Sequence, residues 1–243
     1  MLSVLSKVLE KHIHTLILSH LKQHYPLSDC QWGFRNGRST VSALLLTIHH
    51  WLQLMESGMD VCAVFLDYRK AFDSVPHAPL MKKLQDIGLH TNLLAWLFDY
   101  LTLRKQQVIV DGATSSQCTV VSGVPQGSVL GPLLFSIYIN GITEVSISAN
   151  SYRVLYADDI LLYCGISQPK EDLHKVQSDI NELERWSEEH LLQMNPSKCK
   201  YMIISKRHRI NPSDGVLLHL GGTTLGEVES FKYLGVLLHK HLS

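Results

Sequence analysis

Paired cysteines are missing from this chain. Its five cysteines, Cys30, Cys62, Cys118, Cys164 and Cys199, are odd in number, widely spread and never in a C-x-x-C pair. That argues against a disulfide framework and against a cysteine zinc site, and it fits a reducing compartment. No apolar run approaches the length of a membrane span, and Lys7, Glu10 and Lys11 interrupt the N-terminal apolar stretch, which excludes a secretory signal. The expected location is intracellular, in nucleus or cytoplasm, with no membrane. Neither sign of charge is in surplus, with 22 Lys and Arg against 22 Asp and Glu. A basic surplus is the usual footprint of a nucleic-acid coat protein, so that class is disfavoured, although a local basic track stays open. Internal repeats, low-complexity tracts and an obvious linker are also absent. Of the 14 histidines, the pairs His12/His14 and His49/His50 lack i, i+4 spacing and a nearby acidic or cysteine partner. They read as structural or surface residues, not metal ligands.

What is there is an ordinary globular composition: 243 residues, 45% hydrophobic and 18% charged. At roughly 150 residues per domain that is one to two domains. Leu2, Leu5, Leu9, Ile13, Leu16 and Leu21 predict a helix over 2–24, ended by Pro26. A polar loop, 31–40, precedes a second helix capped by Ser39 or Thr40 and stopped by Gly58. Residues 61–67 are nearly all apolar and suit a strand buried on both faces. Helices follow near 77–87 and 91–103, then strands over 106–111 and 116–121 around Gly112. An apolar helix ends near Asn140, and 152–163 is a strand pair with acids in its middle. Leu173, Val176, Ile180, Leu183 and Trp186 stripe an amphipathic helix over 168–190, which reads as structural. Strands near 200–204, 216–220 and 231–238 finish the chain, with a turn at Gly221-Gly222. Strands and helices mix without strict alternation, so the fold class is α+β.

The chemistry concentrates in carboxylates. Asp67 ends the apolar strand, and Asp158 and Asp159 lie between two apolar runs. Acids so flanked face a desolvation cost of several kcal/mol unless paired or metal-bound. A strand would send Asp158 and Asp159 to opposite faces, whereas a tight hairpin at Ala157-Asp158-Asp159 presents them at its tip. If the two strands are sheet neighbours, Asp67 and Asp158 converge. A divalent cation would relieve their repulsion, and Mg²⁺ suits a few carboxylates plus water and phosphate oxygens. Acids in turns or helix caps are the alternative.

Longer stretches carry a resemblance. Residues 65–73, Phe-Leu-Asp-Tyr-Arg-Lys-Ala-Phe-Asp, resemble motif A of the reverse transcriptases of non-LTR (LINE-type) retrotransposons. Residues 123–132 resemble motif B, Tyr156-Ala157-Asp158-Asp159 motif C, 195–198 motif D and 231–235 motif E. Gln31 to Thr40 is similar to the stretch that precedes motif A in these elements. The resemblance implies a right-hand polymerase fold, an antiparallel palm sheet packed on helices, with partial fingers in 1–60 and the palm in 61–243. It implies RNA-directed DNA polymerase activity with two Mg²⁺ ions (Mn²⁺ as a substitute), dNTPs, a DNA primer and an RNA template.

On that resemblance Asp67, Asp158 and Asp159 are catalytic and metal-binding, and Lys198 is placed to protonate pyrophosphate. Phe72 falls on the steric-gate position against a ribose 2′-hydroxyl. Gln126, Gly127 and Tyr156 contact the nucleotide, Gly127 by letting backbone come close. Tyr233, Leu234 and Gly235 resemble the primer-grip hairpin, and Arg35 and Arg38 suit template phosphates. Ordinary core, loop or surface roles are the alternatives for each.

Charge is polarised along the chain. Residues 195–210 hold five bases, Lys198, Lys200, Lys206, Arg207 and Arg209, and no acid, whereas 168–189 hold seven acids and three bases. The basic stretch suits a salt-sensitive nucleic-acid contact. Compared with full family members the chain is expected to be truncated at both ends, without some fingers strands and without a thumb. The rival expectation is therefore a catalytically inactive remnant that only binds nucleic acid or a partner protein. A maturase-like relative is a weaker third reading.

Overall fold

The computed structural model describes residues 4–205 and 216–242. In chain order its elements begin with α1 (Val4–His24), α2 (Thr40–Glu56), β1 (Asp60–Leu66), α3 (Ala71–Ser74), α4 (His77–Asp86) and α5 (Thr91–Thr102). Four two-residue strands follow, β2 (Lys105–Gln106), β3 (Ile109–Val110), β4 (Ala113–Thr114) and β5 (Cys118–Thr119), and then α6 (Leu130–Ile139). The rest is β6 (Ser151–Tyr156), β7 (Asp159–Ile166), α7 (Pro169–Glu189), β8 (Lys200–Ile204), β9 (His219–Leu220), β10 (Thr223–Thr224), β11 (Gly226–Glu227), β12 (Ser230–Tyr233) and β13 (Val236–His239). Two compact units result: Met1–Ser28 with Lys70–Asn140, and Asp29–Arg69 with Gly141–Ser243. The fold is α+β. Among the described residues no helix is long and apolar enough to cross a membrane.

The second unit is built on a five-stranded sheet in the order β11-β8-β1-β7-β6. β1 lies at its centre, antiparallel to β7 and β8, and every residue of β1 is buried. The edge differs from the all-antiparallel expectation, because β11 joins β8 in parallel. Val61, Ala63 and Phe65, alternate residues of β1, pack with Leu44 and Trp51 of α2 and with Leu161, Tyr163 and Met202. Ser39 caps α2 through a reciprocal pair: its Oγ accepts from Ser42 N–H (3.1 Å), and Ser42 Oγ accepts from Ser39 N–H (2.9 Å). α7 packs on β7 through Leu173, Val176, Ile180 and Leu183. The stripe continues to Ser187, not Trp186; Ser187 is buried because its Oγ bonds the Tyr68 hydroxyl at 2.7 Å, while Trp186 stacks on His190.

The first unit is helical, with α6 packed against α1 and α4, and α4 against α5. Its inward α1 residues are Glu10, Ile13, Ile17 and Leu21, a correction to the leucine stripe. Leu5, Leu9 and Leu16 are exposed, and Leu2 lies outside the described residues. A bond from Glu10 accounts for the rotation. Its Oε2 accepts from Val129 N–H (2.7 Å) and Leu130 N–H (3.2 Å), so a carboxylate from α1 caps the N-terminus of α6. The two strands expected over 106–121 are instead the short pairs β2–β5 and β3–β4, both exposed. The strand expected over 216–220 is limited to β9, whose turn into β10 does fall at Gly221-Gly222.

Candidate active site

In the second unit four expected residues meet. Asp67 follows the last residue of β1, where Leu66 pairs with Ile160 of β7; one further step of that register sets Asp67 across from Asp159. Tyr156 and Asp159 close the β6–β7 hairpin, leaving Ala157 and Asp158 as a two-residue turn. Ala157 takes φ 57°, a left-handed conformation that costs a non-glycine residue roughly 1–2 kcal/mol. The chain after β1 is stitched to the segment before β8. Asn195 N–H donates to Asp67 O (2.8 Å), Arg69 N–H to Gln193 O (2.8 Å), and Asp67 N–H to the Cys199 sulfur (3.3 Å). The turn after Asn195 then brings Lys198 Nζ to 3.1 Å from Asp67 Oδ2.

The electrostatics are those of crowded acids. Burial raises the pKa of Asp158, and Asp67 adds to it, while Lys198 opposes. Asp159 is pushed up to about 6, first by burial of its surroundings and then by Asp158 and Asp67, with Lys198 again opposing. Asp159 itself is exposed. The hydrogen bond and charge of Asp67 hold the Lys198 ammonium above its usual pKa, so its proton is firmly bound.

Among the described residues no three His, Cys, Asp or Glu side chains stand close enough together to enclose a metal ion. The donor set still fits a hard cation. Mg²⁺ is held by one or two carboxylates while its other positions go to water and substrate phosphates, so it does not require a closed protein cage. Asp158 and Asp159, both with raised pKa values, are carboxylates short of positive charge.

The same end of the sheet opens into a cavity of about 320 Å³ lined by Asp67, Asp159, Lys198, Lys232, Tyr233 and Leu234, among others. β12 and β13 form a hairpin closed by Tyr233 and Val236, with Leu234 (φ 48°) and Gly235 (φ 86°) as its two turn residues. Tyr233 points inward. Its side chain is 3% exposed, its ring lies 5.5 Å from that of Phe65, and burial raises its pKa. It packs with the core and anchors the turn, while Leu234 is half-buried and Gly235 exposed. Tyr156 is half-buried at the end of β6.

Arg35 and Arg38 are engaged with their own loop. Both donate to Gln31 O (3.2 and 3.1 Å), and Arg38 also pairs with Asp29 and stacks 4.7 Å over the Trp32 ring. This loop does something spacing did not reveal. Trp32 N–H donates to Leu155 O (2.7 Å) and Leu155 N–H to Cys30 O (2.8 Å), so it runs along β6. A Cβ on Gly33 would stand 2.4 Å from the Ala157 nitrogen. Of the basic stretch, Lys206, Arg207 and Arg209 lie outside the described residues.

In the first unit Phe72, Gln126 and Gly127 come together. The Phe72 ring stacks on Phe135 with centroids 4.4 Å apart, and Phe72 O accepts from Val124 N–H (2.7 Å). Gln126 Nε2 donates to Asp73 Oδ1 (2.9 Å), a partner that sequence reasoning missed. A different glycine meets protein backbone closely: at Gly123 a Cβ would come 2.8 Å from Asp73 O. Gly127 needs its positive φ of 75° and faces open space.

Comparison with known proteins points one way. Residues 1–238 match the family model of the reverse transcriptase (RNA-dependent DNA polymerase). The chain is 31% identical to the probable RNA-directed DNA polymerase from transposon BS of Drosophila melanogaster, over 100% of this chain and 27% of that protein. It is 30% identical to the RNA-directed DNA polymerase from mobile element jockey of Drosophila funebris, over 100% of this chain and 26% of that protein. The chain thus spans about a quarter of the length of these relatives. In structure it is similar to telomerase from Candida tropicalis, with a TM-score of 0.63 at 14% identity, over 96% of this chain and 44% of that one.

Proposed function

The chain belongs to the reverse transcriptase family, in its non-LTR retrotransposon branch, and from that premise we propose that it carries out RNA-directed DNA synthesis, adding dNTPs to a primer 3′-hydroxyl. One observation carries the reading: Asp67, Asp158, Asp159 and Lys198 meet at one end of a buried sheet, inside a single compact unit. Asp67 and Asp158, with Asp159 beside them, are the residues to hold two Mg²⁺ ions (Mn²⁺ as a substitute), which when bound activate the 3′-hydroxyl and stabilise the leaving pyrophosphate.

The remaining work falls to the protein's own groups. Lys198 holds a proton at Nζ, close to the acids, and delivers it to the departing pyrophosphate. Phe72, made rigid by Phe135, excludes a ribose 2′-hydroxyl, so that deoxynucleotides are selected. Gln126, oriented by Asp73, and the backbone of Gly127 contact the nucleotide, as does Tyr156 at the hairpin's base. The Leu234-Gly235 turn, anchored by Tyr233, supports the primer end. Arg35 and Arg38 bring two guanidinium charges to the template phosphates. Residues 1–60 are assigned to fingers and 61–243 to palm.

Primer extension on an RNA template with Mg²⁺ tests the reading. Extension should occur with dNTPs and be lost in Asp158→Ala. Mutant extension at the wild-type rate would overturn the role of the acids. RNA binding without incorporation under any divalent cation would leave the rival reading, a remnant that only binds nucleic acid or a partner protein.

A further inference from the structure

The first unit holds a second cavity, of about 550 Å³, that no expected site residue except Gln126 touches. Its charged lining is Lys70, Asp73, Arg104 and Lys105, three cations and one carboxylate. These come from separate segments: Lys70 precedes α3, Arg104 follows α5, and Lys105 opens β2. The one acid is already engaged, since Asp73 Oδ1 accepts from Gln126. Among the described residues none of the three cations enters a salt bridge. Three positive charges facing one cavity repel one another, and the arrangement gains when an anion enters.

Lys70 has a strained backbone, and Arg104 is held in place. Lys70 sits at φ 48°, a left-handed backbone that costs a non-glycine residue roughly 1–2 kcal/mol and that local stability does not favour. The Arg104 guanidinium lies 5.8 Å over the Tyr100 ring, which stacks on Trp96 at 5.2 Å, and Arg104 O accepts from Val120 N–H (3.0 Å). A planar guanidinium fixed in this way is suited to two-point contact with phosphate, while the lysines act as mobile point charges.

We propose that Lys70, Arg104 and Lys105 form a phosphodiester-binding track, which takes the backbone of a nucleic-acid strand past Gln126. The proposal rests on the polymerase reading above for the identity of the strand. Three cations on three segments match successive phosphates along a chain. They contact no base, so the contact is independent of sequence and falls with salt.

The test is equilibrium binding of a fluorescent RNA–DNA hybrid to the full chain across a salt series, with no nucleotide and no turnover. Lys70→Gln, Arg104→Gln and Lys105→Gln are made singly and together, with Arg104→Lys as the charge-retaining control. Each neutralised contact should reduce the slope of log K against log salt by about 0.7–0.9, and the triple variant by about 2. Arg104→Lys should keep the wild-type slope, which separates lost charge from lost fold. An unchanged slope in the triple variant overturns the track. So does a variant that binds hybrid normally but binds a free dNTP more weakly, because the ligand is then a triphosphate. Absence of primer extension alongside the predicted slopes would overturn the polymerase reading and leave the track standing.

Discussion

Gly33 lies so close to Ala157 that a side chain of any size at residue 33 would collide with the backbone of the acid-bearing turn, the Cβ falling 2.4 Å from the Ala157 nitrogen. The contact is backbone against backbone, so no flexible side chain can move aside. The loop is tied to β6 by two main-chain bonds at Leu155, and it therefore works as a rigid backing to the hairpin tip. Gly33→Ala should shift the turn and cost about 1–3 kcal/mol, the usual range for overpacking. Because Asp158 is a turn residue, primer extension should fall much more than thermal stability does. A Gly33→Ala protein with wild-type extension would show that the turn tolerates displacement.

Lys198 and Asp67 are ion-paired at 3.1 Å, but the lysine is mostly exposed, so the pair contributes little to stability. On the polymerase reading its value lies in the proton it would deliver to pyrophosphate. Lys198→Arg should keep the charge beside Asp67 and leave the melting temperature unchanged. It should slow single-nucleotide incorporation by roughly 10²-fold, because a guanidinium does not release a proton in this range. Rapid-quench incorporation measures this directly; an equal rate in both proteins would remove Lys198 from proton transfer.

Where acids interrupt apolar runs, the sequence was readable. A buried central strand ending at Asp67 and a hairpin with acids at its tip both follow from the cost of burying carboxylates, and both are present. Reading by residue type failed where buried polar groups share the inner face. Leu5, Leu9 and Leu16 point outward while Glu10 faces inward and reaches the end of α6, and Ser187, bonded to Tyr68, takes the place of Trp186 in the α7 stripe. The tight contacts of Gly33 and Gly123 are not legible in the sequence, since the chains they press against lie far away along it. The 106–121 region shortened to two-residue pairs because its strands have no buried face to hold them.

Glu10 is the least expected of these residues and the easiest to test. It is 2% exposed, and one oxygen serves two backbone N–H groups at the start of α6. Glu10→Ala leaves both donors without that partner and should cost about 2–4 kcal/mol. Leu9→Ala, one residue away but half exposed, should cost under about 1 kcal/mol. Thermal unfolding of the pair decides the matter. Equal losses would mean that the helix-capping bond carries no weight.

The raised pKa of Asp159 makes cation binding depend on pH in a fixed direction. With its value pushed up to about 6, against an unfolded value of about 3.9, the group favours the folded state below about pH 4. That contribution is lost as the pH rises through about 6, where folding must tolerate another negative charge next to Asp158 and Asp67. A divalent cation reverses the balance, since it binds the ionised carboxylates and displaces the proton. Added Mg²⁺ should therefore raise the melting temperature more at about pH 8 than at about pH 5, where the proton competes. Asp159→Asn removes the titrating group and should flatten the difference. If Mg²⁺ stabilised the wild-type protein equally at both pH values, Asp159 would not be among the groups the cation meets.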